Sequence, residues 1–448
     1  MRKAAFLGGL AAVLVLPAIA LPTMAWAAPV LMISLDGLRP ADVLDADKRG
    51  LKVPNLRKLA AEGVYASGVR NALPTVTYPN HTTLITGVWP ARHGIASNNT
   101  FDPLSQNMGG WYWYASDIKV ATLWDAVHKA GRKTASVYWP VSVGATSVDY
   151  DIPEYWRAHI AEDAKLLKAV STPGLVDELE AATGRQLVEM TEEEPQNNVA
   201  RAVFAEALIK AKKPAFMTLH LAALDHAQHG FGPDAPQSRA VLETLDGLVG
   251  DLVATARKAE PGVVVAIVSD HGFAPLSHAV NLQSAFVEAG LITMNERTGR
   301  PSAWLAEPWG GASAAVVLAD PNDAAVKARV AALLAKLAAD PANGIARIAD
   351  ASEISKMGGT PQASFWVDFK PGYEAGGRPG GPMVSPSGTK GTHGYFPDHP
   401  EMRATFILAG PGVPARGSLG EIDMRDIAPT LAKVMGVALP SADGKPLL

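Results

Sequence analysis

The sequence predicts an α/β fold in which a mainly parallel central sheet carries helices on both faces. Three observations lead there. Short apolar strands alternate with helical patterns along most of the 448 residues, as crossover connections between parallel strands require. Several of those strands end next to Asp or His. One stretch, residues 281–390, breaks the alternation and reads as a small α+β cap or insertion within a domain spanning residues 28–448.

The N-terminal end comes first. Arg2 and Lys3 precede an apolar run from Ala4 to Leu21, and Ala25-Trp26-Ala27 offers a small-x-small cleavage site before Ala28. Residues 1–27 are therefore expected to be an export signal, placing the protein in the periplasm of a Gram-negative cell or outside another cell. Pro17 and Pro22 interrupt the run, and no later stretch reaches the ~20 apolar residues of a membrane span, so no stable anchor is expected.

Composition narrows the partners. The formal charge is −4, and losing Arg2 and Lys3 with the signal makes it −4 − 2 = −6. No basic run is present, which argues against nucleic-acid polymers and anionic membranes as partners. Cysteine is absent. Disulfides, thiolate metal sites and a cysteine nucleophile are excluded, so any metal must be held by His, Asp and Glu.

In chain order, Val30 to Leu35 is an apolar strand ending at Asp36-Gly37. Asn55 to Glu62 reads as a helix that Gly63 stops. Leu123 to Lys129 is a second helix, followed by a strand from Ala135 to Tyr138. Ala200 to Lys210 is helical, and the strand Phe216 to Leu221 ends shortly before Asp225. The amphipathic helix Arg239 to Lys258 leads to the strand Val263 to Val268 and then Ser269-Asp270-His271-Gly272. A strand at Ala404 to Leu408 and a helix at Asp426 to Met435 complete the alternation. Within the cap, Ala314 to Leu318 is a strand and Ala324 to Ala339 an Ala-rich helix. The Gly/Pro-rich stretch Pro371 to Gly391 reads as a loop that delivers His393 to the main sheet.

Parallel strands end on one edge of their sheet, so side chains distant in sequence meet there. Asp36, Asp225 with His229, Asp270 with His271, and His393 all belong to such ends. Three Asp and three His suffice for two sites of three protein ligands, each with an open position. Singly, an Asp-Gly is usually a turn, and Asp225 with His229 could belong to a solvated loop. Their common placement is what points to metal chemistry. His226 lies beside Asp225 as a competing ligand. His81, His93, His128, His159, His220, His278 and His399 are expected to be structural or solvent-facing.

The segment NALPTVTYPNHTTLITGVW, Asn71 to Trp89, offers a nucleophile. Pro74 and Pro79 restrict its backbone, and the helical pattern Asn80 to Thr86 puts Thr77 near a helix N-terminus. Such an end presents free N–H groups to a phosphate. A threonine hydroxyl needs a metal or base to act as nucleophile. Considered alone, Thr75, Thr77, Thr82 and Thr83 would pass for turn and capping residues.

Together these motifs resemble the alkaline phosphatase superfamily, and within it the nucleotide pyrophosphatase/phosphodiesterase family in a compact, bacterial form. The likeness runs from VLMISLDGLRP to DMRDIAPTLAKVMGVALP and is most specific in TVTYPNHTTLITGVWPARHGI. It implies an alkaline phosphatase-like catalytic domain binding two Zn2+. Asp36, Asp270, His271 and the Thr77 oxygen would hold one, and Asp225, His229 and His393 the other. In the family such a pair, ~4 Å apart, spans the attacking and leaving oxygens of an in-line displacement. Thr77 would be the nucleophile, and Asn98 would contact a phosphoryl oxygen. Tyr78 and Tyr155 occupy positions where relatives stack a nucleotide base.

The resemblance thus implies hydrolysis of phosphodiester or pyrophosphate bonds, with a small nucleotide-type diester as substrate. A neutral amide at Asn98 suits the single charge of a diester, whereas monoesterases set Arg or Lys against a dianion. Phosphonate hydrolysis, of phosphonoacetate type, shares the same motifs. A phosphomonoesterase would need a cation reaching Thr77 from elsewhere. Sulfatases require a Cys or Ser nucleophile and an Arg that Thr77-Tyr78-Pro79-Asn80-His81 lacks. From another class, an exported zinc- or nucleotide-binding protein would not need the Thr77 hydroxyl.

Overall fold

The computed structural model describes residue 1 and residues 27–448, except 108, 109, 159 and 378. The expected export signal, save for its two end residues, and His159 lie outside the described residues.

Eight strands form the central sheet, in the spatial order Gly417–Ser418, Val64–Tyr65, Phe406–Ala409, Val264–Val268, Val30–Leu35, Phe216–Leu221, Thr134–Val137, Tyr150–Ile152. Val30–Leu35 runs parallel to both neighbours, with Ser34 opposite His220 on one side and Val268 on the other. Phe406–Ala409 is antiparallel to both of its neighbours. The sheet is thus mixed but mostly parallel, and the expected α/β class is observed.

The middle strands are apolar throughout because both faces are covered. Leu31, Ile33 and Leu35 pack with Leu56 and Leu59 of the helix Pro54–Glu62, Phe204 of Pro195–Lys212 and Leu245 of Pro236–Ala259. Val30 and Met32 face the other way, toward Leu84 and Ile85 of Thr77–Thr86, Trp124 of Leu123–Lys129 and Leu431 of Ile427–Met435. One strand's alternating side chains therefore seed two cores, each closed by helices.

The segment after His271 leaves this sheet. Ala306–Trp309, Ala314–Leu318, Ala363–Phe369 and Ile345–Asp350 form a separate antiparallel four-stranded sheet, backed by the helix Ala324–Ala339. The strand Ala274–Val280 ties this part to the site. Gly372–Ala375 pairs with it in parallel, and Val384–Pro386 and Gly391–Thr392 pair antiparallel. The Gly/Pro-rich stretch is therefore not a bare loop as expected. Its short strands borrow their hydrogen bonds from Ala274–Val280, a tertiary pairing that local composition does not report.

Among the described residues no helix is long and apolar enough to cross a membrane.

Candidate active site

The C-terminal edge of the sheet gathers the expected residues. Asp36 follows the strand Val30–Leu35, and Asp270 and His271 follow Val264–Val268. Asp225 and His229 occupy the helix Ala223–Phe231 rather than a loop, four residues apart and so on one face. Gly391–Thr392 carries the chain back to His393.

Their functional atoms converge. His271 Nε2 lies 3.0 Å from Asp270 Oδ2 and 3.3 Å from Asp36 Oδ1. His393 Nε2 is 3.5 Å from Asp225 Oδ1, and His229 Nε2 is 3.4 Å from Asp225 Oδ2. Two potential metal clusters share these atoms, Asp36 with Asp270 and His271, and Asp225 with His271 and His393. His271 stands between the sets, and His229 reaches the second through Asp225. A third cluster, Asp368, Asp398 and His399, contains a direct His399–Asp368 bond and the Arg347–Asp398 ion pair. Each of its carboxylates thus already has a protein partner.

Burial leaves Asp36 Oδ1, Asp270 Oδ2, Asp225 Oδ1 and His271 Nε2 without hydrogen-bond partners. Desolvating four such groups is costly unless something binds them. The histidines' Nδ1 atoms are engaged. His271 Nδ1 faces Gly272 O, His393 Nδ1 faces Thr75 O, and His229 Nδ1 faces Gly391 O, at 3.1, 3.0 and 3.0 Å. A carbonyl only accepts, so each Nδ1 carries the proton in the neutral ring, and each Nε2 offers a lone pair. The donor set of carboxylates and imidazole Nε2 atoms fits divalent zinc or a similar ion.

Electrostatics point the same way. Burial, with Asp270 and Asp225 nearby, pushes the Asp36 carboxyl well up, while His220 and His271 oppose the rise. Burial raises Asp225 as well. Burial would raise Asp270 too, but His271 and His81 hold it below its ordinary value. Burial would lower His271, yet Asp270 and Asp36 lift it to about 9. Carboxylates crowded in this way resist ionising together, and a bound cation reverses that logic.

Thr77 begins the helix Thr77–Thr86 and is 9% exposed. Val76 provides no side-chain cap, so the helix presents an N-terminal end suited to anions. Thr75 bonds Tyr395 O, and Thr82, Thr83 and Thr86 bond carbonyls within the helix. Among the described residues Thr77 alone of these five leaves its hydroxyl unengaged. Tyr78 N–H donates to Asn98 Oδ1 at 2.8 Å, which turns the Asn98 NH2 outward. Asn98, His229, Thr392 and His393 line a cleft of about 290 Å³ with Trp309 and Glu374.

A family model described as type I phosphodiesterase / nucleotide pyrophosphatase matches residues 30–396. The chain belongs to this family. Among curated relatives of this phosphodiesterase-family chain, an uncharacterised pyrophosphatase/phosphodiesterase of Schizosaccharomyces pombe is 27% identical over 255 residues, 55% of this chain and 45% of that protein. Ectonucleotide pyrophosphatase/phosphodiesterase family member 1 of Homo sapiens is 26% identical over 54% of this chain and 23% of its own length. The matched region thus spans less than half the length of these relatives. Among solved structures, human ectonucleotide pyrophosphatase/phosphodiesterase 5 superposes with a TM-score of 0.66 at 19% identity, covering 93% of this chain and 97% of that one. That likeness establishes the fold.

Other residues of this family member depart from expectation. Tyr78 is fully buried, and its hydroxyl donates to Glu154 Oε1 at 3.1 Å. Its ring lies behind Trp111 and Trp113 with centroids 5.1 and 6.1 Å away, so it offers no open face for stacking. That corrects the expectation for Tyr78. Tyr155 is half-buried and borders a cavity of about 540 Å³ with Trp111, Trp113 and Trp156. The segment supplying Trp111 and Trp113 carried no periodic signal, and only its density of aromatics could have drawn notice.

His220 is not a bystander. It sits fully buried between Asp36 Oδ2 and Glu154 Oε2, at 2.9 and 3.0 Å. Burial would lower its pKa, but these two carboxylates raise it to about 10. His81 also belongs to this layer, with Nδ1 on Thr77 O and Nε2 on Ser34 Oγ, both at 2.9 Å. Burial drives it down to about 3. His226 instead faces Glu193 and Glu194 at 3.6 Å, so its competing role as a ligand is not realised. His93, His128, His278 and His399 bond or pair outside the site.

Proposed function

We propose that this chain hydrolyses phosphodiester or pyrophosphate bonds of small nucleotide-type substrates with two zinc ions. Asp36, Asp270, His271 and Thr77 would hold one ion, and Asp225, His229 and His393 the other. Bound zinc supplies Lewis-acid charge stabilisation and activates oxygen nucleophiles. The observation that carries the reading is the set of unpartnered, buried ligand atoms beside Thr77 at an uncapped helix N-terminus.

The chain's own residues then divide the work. Thr77 Oγ attacks phosphorus from the helix N-terminus, forming the Oγ–P bond as the bond to the leaving oxygen breaks. The released group takes up a proton and departs as an alcohol or nucleotide. Water cleaves phospho-Thr77, restoring the hydroxyl and releasing the phosphate monoester. The Asn98 NH2 donates to a non-bridging oxygen, and its orientation comes from the Tyr78 N–H. Burial of the Asp and His ligands excludes bulk water from their far side.

Diesters are favoured over monoesters because no Lys or Arg lines the cleft among the described residues, whereas Glu374 does. A dianionic phosphate would meet a carboxylate there with no guanidinium or ammonium to offset it. Export through residues 1–27 and a cap over residues 281–390 belong to the same proposal. Mass analysis of the protein's N-terminus after expression in a Gram-negative host tests the first.

The deciding assay compares kcat/KM on bis-p-nitrophenyl phosphate and p-nitrophenyl phosphate with zinc-loaded protein. A large diester preference, abolished in Thr77→Ala with zinc retained, is the expected result. A monoester preference overturns it. Zinc binding with neither activity favours phosphonate hydrolysis, and retained zinc and nucleotide binding without turnover favours a binding protein.

A further inference from the structure

Behind the ligand atoms runs a buried path that joins the metal side of the site to the nucleophile side. His220 Nε2 is 2.9 Å from Asp36 Oδ2, and His220 Nδ1 is 3.0 Å from Glu154 Oε2. The other Glu154 oxygen, Oε1, accepts from the Tyr78 hydroxyl at 3.1 Å. Tyr78 follows Thr77 directly, and its N–H holds Asn98. Asp36, His220, Glu154 and Tyr78 are at most 5% exposed.

The topology explains how these groups meet. His220 lies in the strand next to Val30–Leu35, opposite Ser34. Glu154 stands two residues beyond Tyr150–Ile152, the outermost strand on that side. Both therefore approach the site from the same sheet edge as Asp36, but from behind it. Glu154 is the only one of the four with both of its side-chain oxygens committed, one toward each half of the site.

We propose that Glu154 is a positioning residue that sets, through His220, which oxygen Asp36 presents to a metal and, through Tyr78, the first turn carrying Thr77 and the Asn98 amide. A ligating carboxylate has two oxygens and can rotate between them. With Oδ2 committed to His220, only Oδ1 faces His271, and Oδ1 is the atom left unpartnered. His220 holds that orientation only while its own ring is fixed, and the charge-assisted bond from Nδ1 to Glu154 fixes it. Without Glu154 the nearest partner of Nδ1 is the neutral Tyr138 carbonyl at 3.2 Å. The Tyr78 hydroxyl would lose its acceptor at the same time.

This inference rests on the proposed metal site, and its test separates the two. The full-length protein is compared with Glu154→Gln, Glu154→Asp, His220→Gln and Tyr78→Phe. The readouts are zinc affinity by chelator competition, the visible absorption of the cobalt-substituted protein, and kcat and KM on bis-p-nitrophenyl phosphate. Glu154→Gln and His220→Gln are expected to weaken one of two zinc ions about 10- to 100-fold and to change the cobalt bands of that site alone. Glu154→Asp should recover part of the affinity. Tyr78→Phe leaves the His220 bonds to Asp36 and Glu154 in place, so it should lower kcat while weakening zinc binding less than Glu154→Gln does. Unchanged zinc affinity and cobalt bands in Glu154→Gln and His220→Gln overturn the inference, even if melting temperature falls. Wild-type protein that holds no zinc overturns the metal reading and this inference with it.

Discussion

His271 and His393 stack face to face, with ring centroids 3.5 Å apart and planes within 9° of parallel. Two imidazolium rings could not lie so close without repulsion, and the surroundings keep them unlike. Asp270 lifts His271, while burial and the neighbouring His271 and His229 drive His393 well below its ordinary value. A neutral His393 with Nδ1 bonded to Thr75 O is in the protonation state a metal ligand needs.

Metal removal should therefore be felt by the fold. Asp36, Asp225 and Asp270 crowd one buried region, and a cation relieves their mutual repulsion. Zinc at 100 times its Kd is expected to stabilise the protein by about 2.7 kcal/mol for each site occupied only in the folded state. Thermal unfolding with and without a chelator measures this. An unchanged melting temperature would refute it.

Asn98 has one half of its amide occupied by Tyr78 N–H, leaving the NH2 for substrate. Asn98→Ala should lower kcat/KM on bis-p-nitrophenyl phosphate about 10²- to 10³-fold, as for the loss of one donor to a developing charge. Zinc content should stay the same. A fall of less than threefold would remove Asn98 from the reaction.

Glu307, in the strand Ala306–Trp309, is buried with Oε2 unpartnered. Burial raises its pKa from 4.5 to about 7, against the opposing bond from Gln283. The folded protein thus holds this proton more tightly than the unfolded chain. Its contribution to stability is present below pH 4.5 and is lost as pH rises through 7. Glu307→Gln stays neutral throughout. It should match wild type near pH 4.5 and exceed it by on the order of 2–3 kcal/mol above pH 8. Urea unfolding of both proteins across this range would show the gap opening with pH, and a constant gap would contradict it.

Gly272 follows His271, and a Cβ placed there would lie 2.1 Å from Glu401 O and 2.8 Å from Arg403 O. Both obstacles are backbone, and Gly272 N–H is itself bonded to Met402 O at 2.9 Å. Gly272→Ala should destabilise the protein by about 2 kcal/mol or more and weaken zinc binding by displacing His271. Calorimetry and zinc titration together check it.

These residues also show what a sequence can and cannot reveal. Asp36, Asp270 and His271 were legible because several apolar strands end next to Asp or His and parallel strands end on one edge of their sheet. The two-faced sheet was legible for a similar reason, since strands buried on both sides read as unbroken apolar runs. His220 was not, because it lies inside such a run and its partner Glu154 comes from another strand's end. Val384–Pro386 was hidden too, since only its pairing with Ala274–Val280 makes it a strand. Tyr78 misled in the opposite sense. The resemblance put it where relatives stack a nucleotide base, but the Trp111 and Trp113 segment covers its ring.

Ala274 pairs with Thr392 and Pro275 with Gly391, so the chain that departs after His271 returns to deliver His393 beside its own point of exit. The excursion is cinched at its base. Lineages can rewrite what hangs beyond that knot, including the stretch that brings Trp309 to the cleft, and still inherit the two histidines in register. Choice of substrate and capture of metal can thereby diverge at different rates within one gene.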